Sequence, residues 1–323
     1  MCMDFKGTFL RLFYFVMFPF TCISYCLIPT TPDVNMFLGT ERIADIYYPF
    51  PQGIDLAWEI KFISNRVINW VLYKAGSSIV GFDNQWFPFV VKLIALAVVV
   101  AVSYYLSTKL KGWYVFPLVF IALTWTSPRN ILQAEYWAVI LALVCIGLLL
   151  DDRWYHPLLA GILFVGISLL KGVTGLMLVS VLCAVYLLKG VKVSERFWEL
   201  CTGIAIGVSA FLILSVTVWT HMIPDMLMSA QVANVGFYPI SYILLMFIVW
   251  TAFYLPSTPL AFIALFVALF LMMRLRGWNL VAFVLMWGAP FAMAIIQGEF
   301  MIYHYYPATI PALVSLVMWE RGR

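Results

Sequence analysis

The chain has 323 residues, of which 64% are hydrophobic and only 11% charged, and its formal net charge is +4. An ordinary soluble domain carries roughly 25% charged residues, so this composition excludes a soluble globular protein. The net charge is too small for an extended nucleic-acid-binding surface. Apolar runs of about 20 residues recur along the chain, which predicts an all-α polytopic membrane protein.

The apolar runs define the predicted spans in chain order, and we expect residues 1–323 to form a single transmembrane domain without a separate soluble domain. The predicted spans are 8–28, 87–107, 113–125, 131–150, 157–170, 173–188, 198–218, 277–296 and 305–319, with 238–255 and 260–273 treated separately below. The basic residues cluster in alternate connections, at Lys6, Arg11, Lys109, Lys111, Lys189, Lys192, Arg196, Arg274, Arg276, Arg321 and Arg323. The positive-inside rule places these clusters and both termini in the cytoplasm.

The first extracytoplasmic loop, about 29–86, is unusually long and polar for so apolar a chain. Its proline and glycine residues divide it into segments, and 34–45 and 54–74 are predicted to be helices lying on the membrane surface. The second segment has apolar and charged residues on opposite faces, which also fits a helix packed on the outside of the domain.

The segments 238–255 and 260–273 disagree with a simple alternation of spans. Two full crossings would leave Arg274 and Arg276 outside, against the positive-inside rule. We therefore predict that one of them, 238–255, is re-entrant or interfacial, and that about ten helices cross the membrane. The six cysteines have no CxxC spacing, which predicts packing residues and neither a disulfide framework nor a metal site.

With this topology, the polar residues away from the cytoplasmic side lie at the outer ends of spans. Ionisable residues in or beside apolar spans are costly and are candidates for function. They are Asp33, Arg129, Gln133, Glu135, Lys171, Gln297, Glu299, Tyr303 and His304. Three of them have structural alternatives: Lys171 can extend its ammonium to the interface, Glu135 can pair with Arg129, and His304 can be a buried core histidine.

A carboxylate facing cations at a membrane surface suits a phosphate-linked lipid substrate. Lys171, Arg129 and His304 are candidates for binding the phosphate and stabilising its charge as it leaves. Asp33 would be ionised at neutral pH and is placed to accept a proton from an acceptor hydroxyl. The chain has no GxxxxGK[ST] or GxGxxG nucleotide motif, so the energy for transfer would come with the lipid.

Four stretches resemble the integral-membrane GT-C glycosyltransferases. They are Asp33 within PDVNMF after the first span, RNILQAEY from Arg129 to Tyr136, AGI and SLLKG around Lys171, and FMIYHYYP containing Tyr303 and His304. Each motif is loose, but together they occur in the same order and on the same side of the membrane as in that family, and they span nearly the whole chain.

The resemblance implies a GT-C-like fold and a mannosyltransferase-like activity. In that activity a sugar is transferred, with inversion, from a polyprenyl-phosphate or dolichyl-phosphate donor to a glycan, lipid or protein acceptor on the outer membrane face. Because the chain has no organelle address, we expect the membrane to be a prokaryotic cell membrane. The resemblance gives Asp33 the position of the catalytic acid, with Asp45 as a rival in DIYY. It places Lys171 and His304 near the donor phosphate. We further expect Gln133, Glu135, Gln297 and Tyr303, with Glu41 and Glu59, to bind substrate.

The chain departs from the family in being short and in having no acidic DxD pair in its second outer connection, 126–130. We therefore expect no cofactor and no required metal. A flippase or other transporter of lipid-linked saccharides, a polysaccharide polymerase and a structural membrane subunit are the competing hypotheses. The absence of a visible repeat counts against a transporter, and the late outer loop, 221–237, lacks the arginines expected of a polymerase.

Overall fold

The computed structural model describes residues 5–27, 75–76, 78–80, 87–125, 134–170, 172–190, 196–217, 239–254, 259–297 and 302–322. All regular structure in these ranges is helical, which confirms the all-α prediction. The α-helices are α1 (Phe5–Leu12), α2 (Phe18–Leu27), α3 (Phe87–Leu110), α4 (Val115–Trp125), α5 (Ala134–Leu150), α6 (Tyr155–Leu170), α7 (Met177–Lys189), α8 (Phe197–Thr217), α9 (Ile240–Tyr254), α10 (Pro259–Arg274), α11 (Gly277–Gln297) and α12 (Thr309–Glu320).

Each predicted apolar run corresponds to one of these helices with similar bounds, except the first, which comprises α1, a π-helical turn and α2. Among the described residues, four helical stretches are long and apolar enough to cross a membrane: Lys6–Leu27, Phe89–Leu110, Phe197–Thr217 and Gly277–Ile296. The other helices have 11 to 17 residues, as in α4 and α5, which is shorter than the roughly 20 residues of a full crossing. The count of ten crossings therefore stays a prediction, and the surface helices predicted at 34–45 and 54–74 lie outside the described residues.

Contacts between distant residues bring the basic clusters to one end of the helix bundle, called here the basic end. Lys109 at the end of α3 forms an ion pair with Asp151, in the turn between α5 and α6. Lys189 at the end of α7 donates to Asp152 Oδ1 at 2.5 Å. The hydrogen bond from Lys109 lowers the pKa of Asp151 to about 2, and that from Lys189 lowers the pKa of Asp152. These pairs link the C-terminal ends of α3 and α7 to the turn between α5 and α6.

Two further contacts add the last helices to the basic end. The Arg321 guanidinium, after α12, donates to the carbonyl oxygen of Leu110 at the end of α3. The rings of Phe270 in α10 and Trp319 in α12 meet edge to face, with centroids 4.8 Å apart. Arg274, four residues after Phe270, therefore lies at the same end as the other basic residues, which agrees with the positive-inside pattern.

Helix α9 runs in the opposite sense to α10. Near its C-terminus, the Thr251 hydroxyl is hydrogen-bonded to the Tyr305 hydroxyl at 3.2 Å, and Tyr305 precedes α12 at the end of the bundle away from the basic residues. The ring of Phe247 packs on Phe291 of α11 at 5.7 Å. With 15 residues, α9 is too short for a full crossing on length alone. Its re-entrant character stays a prediction.

Helices α6 and α8 pack closely against each other because glycines lie where they cross. A Cβ added to Gly203 would lie 2.1 Å from the Leu158 carbonyl oxygen, and one added to Gly161 would lie 2.4 Å from that of Leu200. Both distances are impossible for real atoms, so each helix requires a glycine where the other crosses it. Small residues at helix crossings are the usual means of close packing within lipid.

Helix α11 contains Pro290, which has no N–H to donate to the carbonyl of Met286 one turn earlier. Within a bilayer such a carbonyl needs another donor. The Ser180 hydroxyl of α7 donates to the Met286 oxygen at 2.9 Å, and both residues are fully buried. The proline is thus accommodated by a hydrogen bond from a neighbouring helix.

The first span is interrupted by a π-helical turn, Phe13–Met17, between α1 and α2. Phe13 is fully buried there. Its ring meets those of Phe116 and Phe120 of α4 edge to face, each at a centroid distance of 6.1 Å. Aromatic packing therefore holds the widened turn against α4.

Candidate functional site

The end of the bundle opposite the basic end collects the helix ends that carry the predicted site. Helix α5 begins there at Ala134, and two 3-10 turns, Gly172–Leu176 and Ile302–Ala308, precede α7 and α12. The second turn packs against α5 and α11, while the first packs against α6 and α11. The Thr174 hydroxyl donates to the Ile167 carbonyl and so fastens the first turn to α6.

The described residues include only part of the predicted site. Tyr303 and His304 lie in the second 3-10 turn, Gln297 is the last residue of α11, and Glu135 lies in the first turn of α5. The first 3-10 turn begins at Gly172, the residue after Lys171. The structure therefore brings these parts of the chain to one end. Outside the described residues lie Asp33, Glu41, Asp45, Glu59, Arg129, Gln133, Lys171 and Glu299.

Glu135 is buried, with 1% of its surface exposed, whereas a residue that binds substrate in an open site is exposed to solvent. The next residue, Tyr136, is equally buried, and its hydroxyl is 3.2 Å from the hydroxyl of Tyr25 in α2. This hydrogen bond joins the start of α5 to the end of the first span. A buried carboxyl beside such a contact suits positioning within the site better than direct contact with a substrate in solution.

Lys92 is a buried polar residue at this end that the sequence analysis did not single out. It lies in α3 with 5% of its surface exposed, and its ammonium donates to the Cys26 carbonyl oxygen at 3.3 Å. Cys26 is in the last turn of α2, where carbonyl groups have no partner within their own helix. Lysines near the ends of membrane helices usually extend their ammonium to the interface, whereas that of Lys92 is buried against the α2 backbone, which indicates a specific role.

A signal for Lys92 was available in the sequence. It is the one charged residue between Phe87 and Ser107, in an otherwise apolar run. Its contact with α2 depended on the helix packing and could not be read from the sequence. The hydrogen bond fixes the point at which the long first loop leaves the bundle, because that loop begins just after α2.

The site therefore combines a buried framework with segments bearing the candidate residues. Helices α2, α3 and α5 are joined by hydrogen bonds from Tyr25, Lys92 and Tyr136, and both 3-10 turns pack against α11. Within the described part of the chain, no three His, Cys, Asp or Glu side chains are grouped as metal ligands. The expectation that no metal is required stays a prediction, because several candidate carboxylates lie outside the described ranges. Comparisons with protein-family models, with curated proteins and with solved structures found no match to this chain.

Proposed function

We propose that the protein is a membrane glycosyltransferase that moves one sugar from a polyprenyl-phosphate donor to an acceptor on the extracytoplasmic side. The observation that supports this most is the gathering, at the end away from the basic residues, of the α5 start, the turn after Lys171 and the turn containing Tyr303 and His304. These are three of the four stretches that resemble GT-C glycosyltransferases. The fourth, containing Asp33, follows α2, which ends beside them.

In the proposed reaction, the Asp33 carboxylate takes the proton of an acceptor hydroxyl as its oxygen attacks the anomeric carbon of the donor sugar. The bond between that carbon and the phosphate oxygen breaks, the configuration inverts, and polyprenyl phosphate leaves. Lys171, Arg129 and His304 stabilise the phosphate charge that develops. Asp45 is the alternative base.

The remaining predicted residues would bind the two substrates. Gln133, Gln297 and Tyr303 are assigned to the donor, and Glu41 and Glu59 to the acceptor or the sugar. Glu135, being buried, would orient its neighbours. The energy for transfer comes from the phosphate-linked donor.

The test uses the full chain reconstituted in liposomes with radiolabelled polyprenyl-phosphate mannose, and the same lipid bearing glucose, together with an acceptor glycolipid. Asp33→Asn should abolish transfer while leaving donor binding and thermal stability unchanged. Asp83→Asn, in the same loop but without an assigned role, is the matched control and should retain activity. Full activity of Asp33→Asn would remove Asp33 from this role, and loss only in Asp45→Asn would transfer it to Asp45.

Lys171 has a separate prediction, because a cation that binds phosphate acts on affinity. Lys171→Ala should weaken donor binding, whereas Lys171→Arg should retain most of it. Equilibrium binding of the labelled donor to purified protein measures this directly. Unchanged affinity in Lys171→Ala would favour the interfacial role of this lysine.

Lys92 is expected to act as a positioning residue, since its ammonium donates to the backbone of α2 at the Cys26 carbonyl. Lys92→Gln should lower kcat with little change in donor KM, because the first loop would begin from a displaced helix end. Lys92→Arg, which can still donate to the Cys26 carbonyl, should recover part of the rate. A loss of stability with normal kcat in the remaining folded protein would show a purely structural role.

A further inference from the structure

The backbone at Lys111, just after α3, adopts a conformation that ordinarily favours glycine. Its φ is +51°, and among the described residues it is the one non-glycine with a positive φ. The other positive-φ positions are Gly190, Gly277 and Gly322, which lie in or after turns at the same basic end. A lysine in this conformation costs free energy that a glycine would not. A lysine is therefore not the residue that the backbone conformation alone would favour here.

The turn around Lys111 presents two exposed cations. The Lys111 N–H donates to the Ser107 carbonyl oxygen at 3.1 Å and closes the end of α3. The Arg321 guanidinium donates to the carbonyl of Leu110, the adjacent residue. Both side chains are exposed. The carbonyl of Leu110 thus holds the Arg321 guanidinium beside Lys111.

Helix α1 and an aromatic residue border the same turn. Trp113, two residues after Lys111, meets the ring of Phe9 edge to face at 5.7 Å. Lys6 lies three residues before Phe9, on the same side of α1, and is exposed. Tryptophan beside lysine is characteristic of the depth of lipid headgroups.

Two of the described carboxylates at this end are paired with other cations. Asp151 is paired with Lys109, and Asp152 with Lys189. Glu320, which precedes Arg321 and is exposed, is the one described carboxylate adjacent to the turn in sequence. Lys6, Lys111 and Arg321 therefore outnumber it.

We propose that the turn formed by Lys111, Trp113 and Arg321, with Lys6 of α1 beside it, binds the headgroup of an anionic glycerophospholipid. The ammonium and guanidinium groups supply charge-assisted donors to the phosphate, and the acyl chains extend along the apolar helices next to Trp113. This inference is independent of glycosyl transfer, because the site lies at the opposite end of the bundle.

The test measures thermal unfolding of the full chain in neutral detergent as phosphatidylglycerol or phosphatidylcholine is titrated. Phosphatidylglycerol should raise the unfolding midpoint, and phosphatidylcholine should not. Lys111→Gly should raise the midpoint in phosphatidylcholine because the backbone strain is relieved. The same variant should bind phosphatidylglycerol about five-fold more weakly, the effect of losing one cation at an anionic surface. Lys111→Arg should retain the affinity.

A matched control is Arg274→Gln, since this cation is at the basic end but lies over the Phe270 ring, 4.2 Å from its centroid. Its affinity for phosphatidylglycerol should equal that of the unmodified chain. Equal weakening in Arg274→Gln and Lys111→Gly would indicate diffuse attraction and overturn the site. So would unchanged affinity in Lys111→Gly, or the same stabilisation by inorganic phosphate alone.

Discussion

The hydrogen bond that accommodates Pro290 allows a quantitative test of the packing between α7 and α11. Ser180→Ala removes the hydroxyl that donates to the Met286 oxygen at 2.9 Å. Hydrogen bonds between membrane helices contribute about 0.6 kcal/mol on average and up to about 1.7 kcal/mol. We expect a value near the upper end, about 1–1.5 kcal/mol, because the proline leaves the buried carbonyl without its helical donor.

In a Pro290→Ala background, residue 290 regains an N–H that can donate to Met286. Ser180→Ala should then cost less than about 0.5 kcal/mol, so the double-mutant cycle should show a coupling of about 1 kcal/mol. Unfolding in mixed micelles with increasing SDS measures all four proteins. Ser103→Ala is the control, since Ser103 is equally buried but its hydroxyl donates to Val99 of its own helix. Equal costs of Ser180→Ala in both backgrounds would refute this account of the proline.

Two other predictions concern helix contacts. Gly203→Ala places a methyl group 2.1 Å from the Leu158 oxygen and should destabilise the chain by about 1–3 kcal/mol in the same SDS titration. Gly166→Ala is the control, because the space around its Cβ is open, and it should be neutral or slightly stabilising. Asp151 has a pKa lowered to about 2 from an unfolded value near 3.9, so its pairing with Lys109 stabilises the fold above about pH 4 and is lost between about pH 4 and 2. Asp151→Asn should lose about 1–2 kcal/mol at pH 7 and remove that part of the acid dependence, and an unchanged pH profile would contradict it.

The sequence predicted the helices well, because a chain in lipid must satisfy its backbone within each segment and so leaves a long apolar signal. The basic ends were also predictable, since Lys109, Lys189 and Arg274 lie in last helical turns, where both the macrodipole and the positive-inside rule favour cations. The helix positions are confirmed, but the number of crossings stays a prediction, because several helices are shorter than the thickness of a bilayer.

The candidate site was less predictable. Asp33 and Lys171 were selected from their place between spans, and their local geometry lies outside the described residues. Lys92 was missed because an isolated lysine in an apolar run gives no indication of its partner, and that partner is the backbone of Cys26, 66 residues away in sequence. Glu135 was predicted as a substrate ligand, a role that remains untested, but its burial depended on the packing of α5 against its neighbours.

The π-helical turn at Phe13–Met17 has a consequence for how this chain should be compared with others. A single extra residue in a helix turns everything beyond it by about 100° about the axis. A helical wheel drawn through the whole first span therefore places Tyr25 on the wrong side. Deleting one residue within the turn would restore a regular helix and keep Tyr25 directed at Tyr136. Sequence alignments should therefore permit a one-residue gap here, since relatives without the bulge would preserve that tyrosine pair only with such an offset.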